Sequence, residues 1–229
     1  MDLAVFLPCR AGSQRVKNKN VRPFAGINGG LTQIKMEQLL GIKEARIIMV
    51  STNDPLVVDI VRKFDDQRIV IDNRPEELAS SNTSTDDLIR YVPSVLNAEH
   101  ILWTHVTSPF LTASIYNNAL SAYRKALSKG YDSLMSVTLL HKFIWNNKGP
   151  LYDVSKEIWP RTQTIEPLYE VNSGIFITTR DIYMRDGNRI GQNPFLYEMG
   201  EDISFDVDLE IQFSIAEKFF YDNFKLSGQ

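Results

Sequence analysis

Hydrophobic positions along this chain fall into two patterns. Short, nearly uninterrupted apolar runs at 3–8, 45–51, 68–72, 101–106, 133–139 and 172–178 predict buried β-strands. Between them lie stretches of helical period. Leu31, Ile34, Met36, Leu39 and Leu40 define a helix over 31–40 that Gly41 can close. Asp54 and Pro55 start a second helix as cap and first residue, with Leu56, Val57, Ile60, Val61 and Phe64 on its apolar face. Further helices are predicted over 86–97 and 113–129. A short helix begins at 182–185, a last short strand is predicted at 196–199, and a final helix carries Phe213, Ile215, Ala216, Phe219 and Phe220. Strand-helix alternation with short connections marks an α/β fold, a mostly parallel sheet with helices on both faces and ligands at the carboxyl ends of the strands.

Two stretches break the pattern. The polar loop at 73–85 is too long for a simple connection, so it is expected to have a task of its own. Residues 141–170 scatter Trp145, Tyr152, Trp159 and Tyr169 among polar residues without helical period. They read as an inserted arm of hairpins whose aromatics meet a partner, self-association being the commonest case. The expected organisation is one domain over 1–229 with 140–171 as a dimerisation arm.

Composition narrows the function classes. The length of 229 residues suits one α/β domain with a real core, and 43% hydrophobic against 23% charged residues is ordinary for a globular protein. A net charge of -3 argues against a general nucleic-acid binder. Cys9 is the only cysteine, so no intramolecular disulfide can form; without a Cys-His signature it reads as a packing residue at a strand end. No apolar stretch is long enough to span a bilayer, and the chain opens directly on a strand pattern, so a cytoplasmic protein without membrane contact is expected.

Candidate chemistry concentrates in two places. After the first strand come Arg10, Arg15, Lys17, Lys19 and Arg22, with no carboxylate before Glu37. Ala11, Gly12 and Ser13 allow backbone amides close to a ligand, so the turn can form an anion-binding concavity suited to phosphate. A merely solvated basic loop is the other reading. Neither the P-loop pattern nor a Gly-x-Gly-x-x-Gly turn is present. Far along the chain, Asp206 and Asp208 stand two apart before the last helix. In extended backbone both carboxylates point to one side and could face a divalent cation such as Mg2+. Alternatively, Asp208 caps the helix and Asp206 is solvated. An anion-binding turn and a metal site are together what phosphoryl or nucleotidyl transfer needs.

These residues resemble a known family, the CMP-sugar cytidylyltransferases typified by CMP-N-acetylneuraminate synthetase, and the resemblance covers nearly the whole chain. Residues 8–15 with 17–20 are similar to the family's Ala-Arg-x-Gly-Ser-Lys and Lys-Asn loop, and 74–79 to its Arg-Pro-x-x-Leu-Ala segment. Thr107-Ser108-Pro109-Phe110, 172–177 and Asp206-Val207-Asp208 match in order and spacing. The resemblance implies a Rossmann-like nucleotide-diphospho-sugar transferase fold and a homodimer in which each arm reaches over its neighbour. It implies transfer of CMP from CTP to the anomeric hydroxyl of a 2-keto-3-deoxy sugar acid, with release of pyrophosphate. Carried over, Arg10, Ala11, Gly12, Ser13, Arg15, Lys19 and Asn20 would hold the triphosphate. Arg74, Ala79 and Ser81 would lie near the cytidine, and Asp206 and Asp208 would bind Mg2+. Arg10, Lys19 and the two aspartates would be catalytic. His105, Thr107, Ser108, Gln163 and Asn172 would face the acidic keto-sugar, Gln163 from the arm.

The chain also departs from the family. His105 stands where relatives have glutamine, and it reads either as a base or as a hydrogen-bonding contact adapted to a different sugar. Thr162 stands where arginine is frequent, Ser173-Gly174 replaces Asn-Gly-Ala, and 26–30 (Gly-Ile-Asn-Gly-Gly) replaces Gly-Lys-Pro-Leu. Two rival readings share the fold: a nucleotidyltransferase for another nucleotide or acceptor, and a non-catalytic nucleotide-binding subunit.

Overall fold

Alternate residues of the first strand face two separate cores. In the computed structural model, which describes residues 1–80 and 82–225, β1 (Leu3–Pro8) directs Leu3, Val5 and Leu7 into one core and Ala4 and Phe6 into the other. A strand covered on both faces has no polar side, which accounts for the uninterrupted apolar run. The chain continues through α1 (Gly30–Leu40), β2 (Ala45–Thr52), α2 (Pro55–Val61), β3 (Ile69–Asn73), α3 (Thr85–Val95), β4 (His100–Trp103) and α4 (Ala113–Leu127). Then follow β5 (Ser133–Leu140), β6 (Trp145–Asn146), β7 (Gly149–Pro150), β8 (Leu168–Thr179), α5 (Arg180–Asp186), β9 (Pro194–Glu198) and α6 (Glu210–Phe220).

Seven strands form one sheet in the order β3-β2-β1-β4-β8-β5-β9, and all neighbours are parallel except those of β8, which runs antiparallel to β4 and β5. On one face, Leu31, Ile34 and Leu39 of α1, Tyr116, Leu120 and Tyr123 of α4 and Phe213 of α6 cover the sheet. On the other, Leu88, Ile89 and Val92 of α3 pack with Tyr183 of α5 on Phe6, Met49, Ile101 and Trp103. The expected mostly parallel sheet with helices on both faces is the observed architecture. Among the described residues no helix is long and apolar enough to cross a membrane.

Local chemistry sets the element ends. Asp54 accepts a hydrogen bond from the Leu56 amide (3.0 Å), with Pro55 at the first helical position. Helix α3 starts one residue earlier than the periodicity predicts, because Ser84 and Asp87 form a reciprocal capping box. Strand β4 stops at Trp103 although the apolar run continues to Val106; Thr104 turns its hydroxyl to the Gly174 carbonyl (2.8 Å). Strand β8 starts at Leu168, ahead of the predicted 172, and its first four residues are exposed, so no apolar alternation announced them. The remainder of 141–167 leaves the sheet between β5 and β8. There the two-residue strands β6 and β7 pair, and Phe143 packs against Tyr152 and Trp159.

Candidate active site

The strand order changes direction between β1 and β4, and chain segments leaving both strands border one cleft, as expected at the switch point of an open α/β sheet. Its two lobes, about 220 and 550 Å³, share Pro8, Arg10, Thr85 and His105.

The larger lobe is built on the basic turn and is lined by Ser13, Arg15, Lys19, Asn20 and Thr107. The Cys9 amide donates to the Ser51 carbonyl (2.9 Å) and the Ala11 amide to Asn53 Oδ1 (2.9 Å), tying the turn to the end of β2. Asn20 Nδ2 donates to the Arg10 carbonyl (3.1 Å), closing the turn on itself. Gly12 has φ +75°, a left-handed conformation that suits glycine. Two of the cations converge on the distant carboxylate: Arg15 reaches Asp208 Oδ1 at 2.9 Å and Lys19 Nζ reaches it at 3.2 Å, while Lys19 also donates to the Val207 carbonyl (2.8 Å). The turn and the Asp-Val-Asp segment, some 190 residues apart in sequence, are therefore one electrostatic unit.

Val207 is fully buried while Asp206 and Asp208 are part-exposed, as the two-residue spacing predicts. Asp208 does not cap α6. Gln212 Oε1 accepts from both the Asp208 and Leu209 amides (2.8 Å each), which leaves the Asp208 carboxylate to the cations. Burial raises the Asp206 pKa, the hydrogen bond from Thr107 opposes that, and the charge of Asp208 adds to it. Asp206 thus sits where added positive charge is favourable.

The smaller lobe is lined by Arg74, Leu78, Ser80, Thr83, Ser84, Leu88 and Trp103. Arg74 is 6% exposed and is held by Ser51, donating to its hydroxyl (3.1 Å) and carbonyl (2.6 Å); burial lowers its pKa. Ala79 is buried just behind this wall, and Ser81 lies outside the described residues.

His105 is neutral. Trp103 Nε1 donates to its Nε2 (2.6 Å), which assigns the proton to Nδ1, and burial reinforced by the charges of Arg189, Lys35 and Lys19 depresses its pKa to about 3. It cannot serve as a base near pH 7; what it offers the cleft is an N–H donor.

The remaining expected contacts separate. Ser108 is buried: its carbonyl accepts from Lys35 Nζ (2.8 Å), and its hydroxyl has no partner. Asn172 lies in a neighbouring cavity of about 280 Å³ with Asp206 and Gln212. Its amide is engaged inward, to Ser136 (2.6 Å), Thr138 (3.1 Å) and the Gly174 amide (3.2 Å). Gln163 is exposed on a short 3-10 turn of the arm and does not line the cleft of its own chain. Sequence reasoning missed Lys35, fully buried on α1 with Nζ on Tyr116 Oη (2.8 Å), because a lysine inside a helical apolar face carries no signal of its own. It also missed Gln212 and Arg189, which belong to no motif.

Residues 4–219 match the family model described as Cytidylyltransferase. The N-acylneuraminate cytidylyltransferase of Streptococcus agalactiae serotype III is 26% identical over 214 residues, covering 91% of this chain and 51% of that protein. The chain thus spans about half the length of several curated relatives it matches. Post-translational flagellin modification protein B of Campylobacter coli is 23% identical over 229 residues, with 94% of each chain covered. Among solved structures, a CMP:2-keto-3-deoxy-manno-octonic acid synthetase complexed with CTP superposes with a TM-score of 0.68 at 17% identity, covering 97% of this chain and 99% of that one, which shows the shared fold.

Proposed function

The chain belongs to the cytidylyltransferase family, and on that premise we propose that it transfers CMP from CTP to the anomeric hydroxyl of a 2-keto-3-deoxy sugar acid, sialic acid or a related nonulosonic acid. The observation that carries this reading is the convergence of Arg15 and Lys19 on Asp208 at the mouth of a cleft with a second, hydroxyl-rich lobe. Triphosphate goes to the basic turn, where Arg10, Arg15 and Lys19 supply charge and the Ala11–Ser13 backbone approaches closely. Cytidine goes to the lobe walled by Arg74 and Thr83. The acceptor approaches from the His105 and Thr107 side.

The acceptor hydroxyl gives up its proton to solvent water as its oxygen attacks the α-phosphorus in line, the bond to the bridging oxygen breaks, and pyrophosphate leaves with its charge balanced by the turn's cations. His105 donates a hydrogen bond to the acceptor and takes no proton. The donor set suits Mg2+: Asp206, whose charged form burial disfavours, and Asp208, which shares its carboxylate with Arg15 and Lys19, are hard oxygen donors of the kind that ion takes together with phosphate oxygens and water. Asp206 and Asp208 would hold it, and when bound it supplies charge neutralisation at the α-phosphate and a lowered pKa for the acceptor hydroxyl. The N-acylneuraminate relatives favour a nonulosonic acid, and the exposed arm favours a homodimer.

The test is pyrophosphate release with CTP, Mg2+ and a panel of nonulosonic acids and 3-deoxy-octulosonic acid. Turnover with at least one acid, lost in Asp208→Asn, is the expected result. Silence across the panel, or full Mg2+-dependent turnover in that variant, overturns the reading.

A further inference from the structure

Ser173 takes a left-handed backbone, φ +57°, in the middle of strand β8; Asn18 and Ala25, the other non-glycine residues with positive φ among those described, stand in turns. That conformation is unfavourable for any residue with a Cβ and persists where the surroundings over-determine it. They do so here. Met135 of β5 faces Phe176 of β8 and Val137 faces Val171, so residues 172–175 bulge out opposite Ser136 alone. Ser136 Oγ donates to Asn172 Oδ1 (2.6 Å) and accepts from the Ile175 amide (2.8 Å). The Gly174 amide donates to Asn172 Oδ1 (3.2 Å), and the Thr104 hydroxyl holds the Gly174 carbonyl (2.8 Å). All four bonds are buried.

Ser173 takes no side-chain part in this stitching. It is half-buried, its hydroxyl has no partner among the described residues, and it lines the cavity of about 280 Å³ that also meets Asn172, Asp206 and Gln212. A bulge beside an active site can re-aim a side chain, and the group re-aimed here is a free hydroxyl. The cavity adjoins the proposed reaction centre: Asp206 lines it, and Thr107, which hydrogen-bonds Asp206, lines the larger lobe of the cleft. Thr138, Ser204, Glu170 and Glu201 add to its polar wall, Glu201 being paired with Lys142 (2.6 Å). Such a wall repels an acid group and offers oxygen acceptors to hydroxyl hydrogens.

We propose that this cavity takes the hydroxyl-bearing chain of the acceptor, its carboxylate turned away, and that Ser173 is the specificity-determining residue that hydrogen-bonds one of those hydroxyls. The inference rests on the reading that the acceptor is a sugar acid. The structural alternative is that Ser173 is tolerated in the bulge and contacts no ligand.

Calorimetric binding to the full chain, with a non-hydrolysable CTP analogue present, separates the two when set beside thermal unfolding. The probes are N-acetylneuraminic acid and 3-deoxy-octulosonic acid, each beside an analogue whose chain is two carbons and two hydroxyls shorter. Wild type is expected to bind the full-length acid more tightly than its shortened form. Ser173→Gly removes both hydroxyl and strain, whereas Ser173→Ala removes the hydroxyl alone. Each should weaken the full-length acid by about fivefold and the shortened one by less than about twofold, with CTP-analogue binding unchanged. The melting temperature of the glycine variant should stay level or rise, so that stability and affinity move apart. If glycine instead loosens the bulge and the melting temperature falls, the alanine variant decides, and it must weaken the full-length acid selectively. Unchanged affinity for the full-length acid, equal weakening of both forms, equal wild-type affinity for both, or a wild-type chain that binds none of the acids overturns the inference. Acid binding without pyrophosphate release overturns the proposed reaction and leaves the test of Ser173 intact.

Discussion

A histidine lining a cleft proposed to hold a nucleotide invites assignment as a base, and its surroundings in this chain prevent that. The Trp103 indole occupies Nε2 of His105, and three cations with burial hold the ring neutral, its pKa brought down to about 3. The sign of the linkage follows. Between about pH 6.5 and 3 the unfolded chain binds a proton that the folded chain refuses, so stability rises with pH across that window, and the contribution is complete above it. Wild type should lose stability between pH 7 and 5 by about 1–2 kcal/mol more than His105→Gln, read from urea unfolding. Pyrophosphate release by the variant should keep the wild-type pH profile, since no proton transfer is removed; a new or vanished inflection near pH 6.5 would restore the histidine as a base. The choice between base and contact was not legible in sequence, because it depends on Trp103 two residues away and on Arg189 and Lys35 from distant segments. The role of Asp208 was open for a similar reason. Only the fold shows that Gln212 takes the helix cap and frees the carboxylate for Arg15 and Lys19.

The basic turn is an element whose shape depends on one residue at its far end. Gly30 opens α1 with φ +56°, and a Cβ there would lie 2.1 Å from the Arg22 carbonyl oxygen. The turn's cations and the start of α1 are therefore clamped by a backbone contact no other residue allows. Gly30→Ala should cost about 3 kcal/mol or more, combining left-handed strain with a backbone collision. Gly187→Ala is the control: φ is +59°, but nothing lies within 4 Å of its Cβ, so about 1 kcal/mol is expected. Thermal unfolding of both variants, with and without CTP, measures the difference; equal costs would show that the Arg22 contact yields easily. The departure of 26–30 from the family pattern was visible in sequence, but the contact that gives Gly30 its importance was not. Elements read well wherever burial wrote a pattern. Strand β1 and helix α4 are examples, the latter with Tyr116, Ala119, Leu120 and Tyr123 on one face. They read poorly where a side chain intervenes, as at Thr104, or where a strand runs exposed, as over the first residues of β8.

At the scale of the molecule, the arm separates residues that the proposed chemistry wants together. Ile158 and Trp159 are 71% and 65% exposed, two adjacent large apolar side chains left to solvent, and Gln163 near them does not line the cleft of its own chain. Both facts are accounted for if the arm covers a second copy and Gln163 acts in the neighbour's cleft. Light scattering should then report twice the single-chain mass for wild type and the single-chain mass for Ile158→Ser combined with Trp159→Ser. Complementation makes the stronger test. Asp208→Asn damages the cleft and Gln163→Ala damages the arm, so each homodimer is impaired at both sites. In a mixed dimer, the cleft of the Gln163→Ala chain receives the intact arm of the Asp208→Asn chain. Random mixing therefore restores about a quarter of the wild-type sites if the arm acts across the dimer. If Gln163 serves its own chain, every site in the mixture keeps one defect and mixing restores nothing.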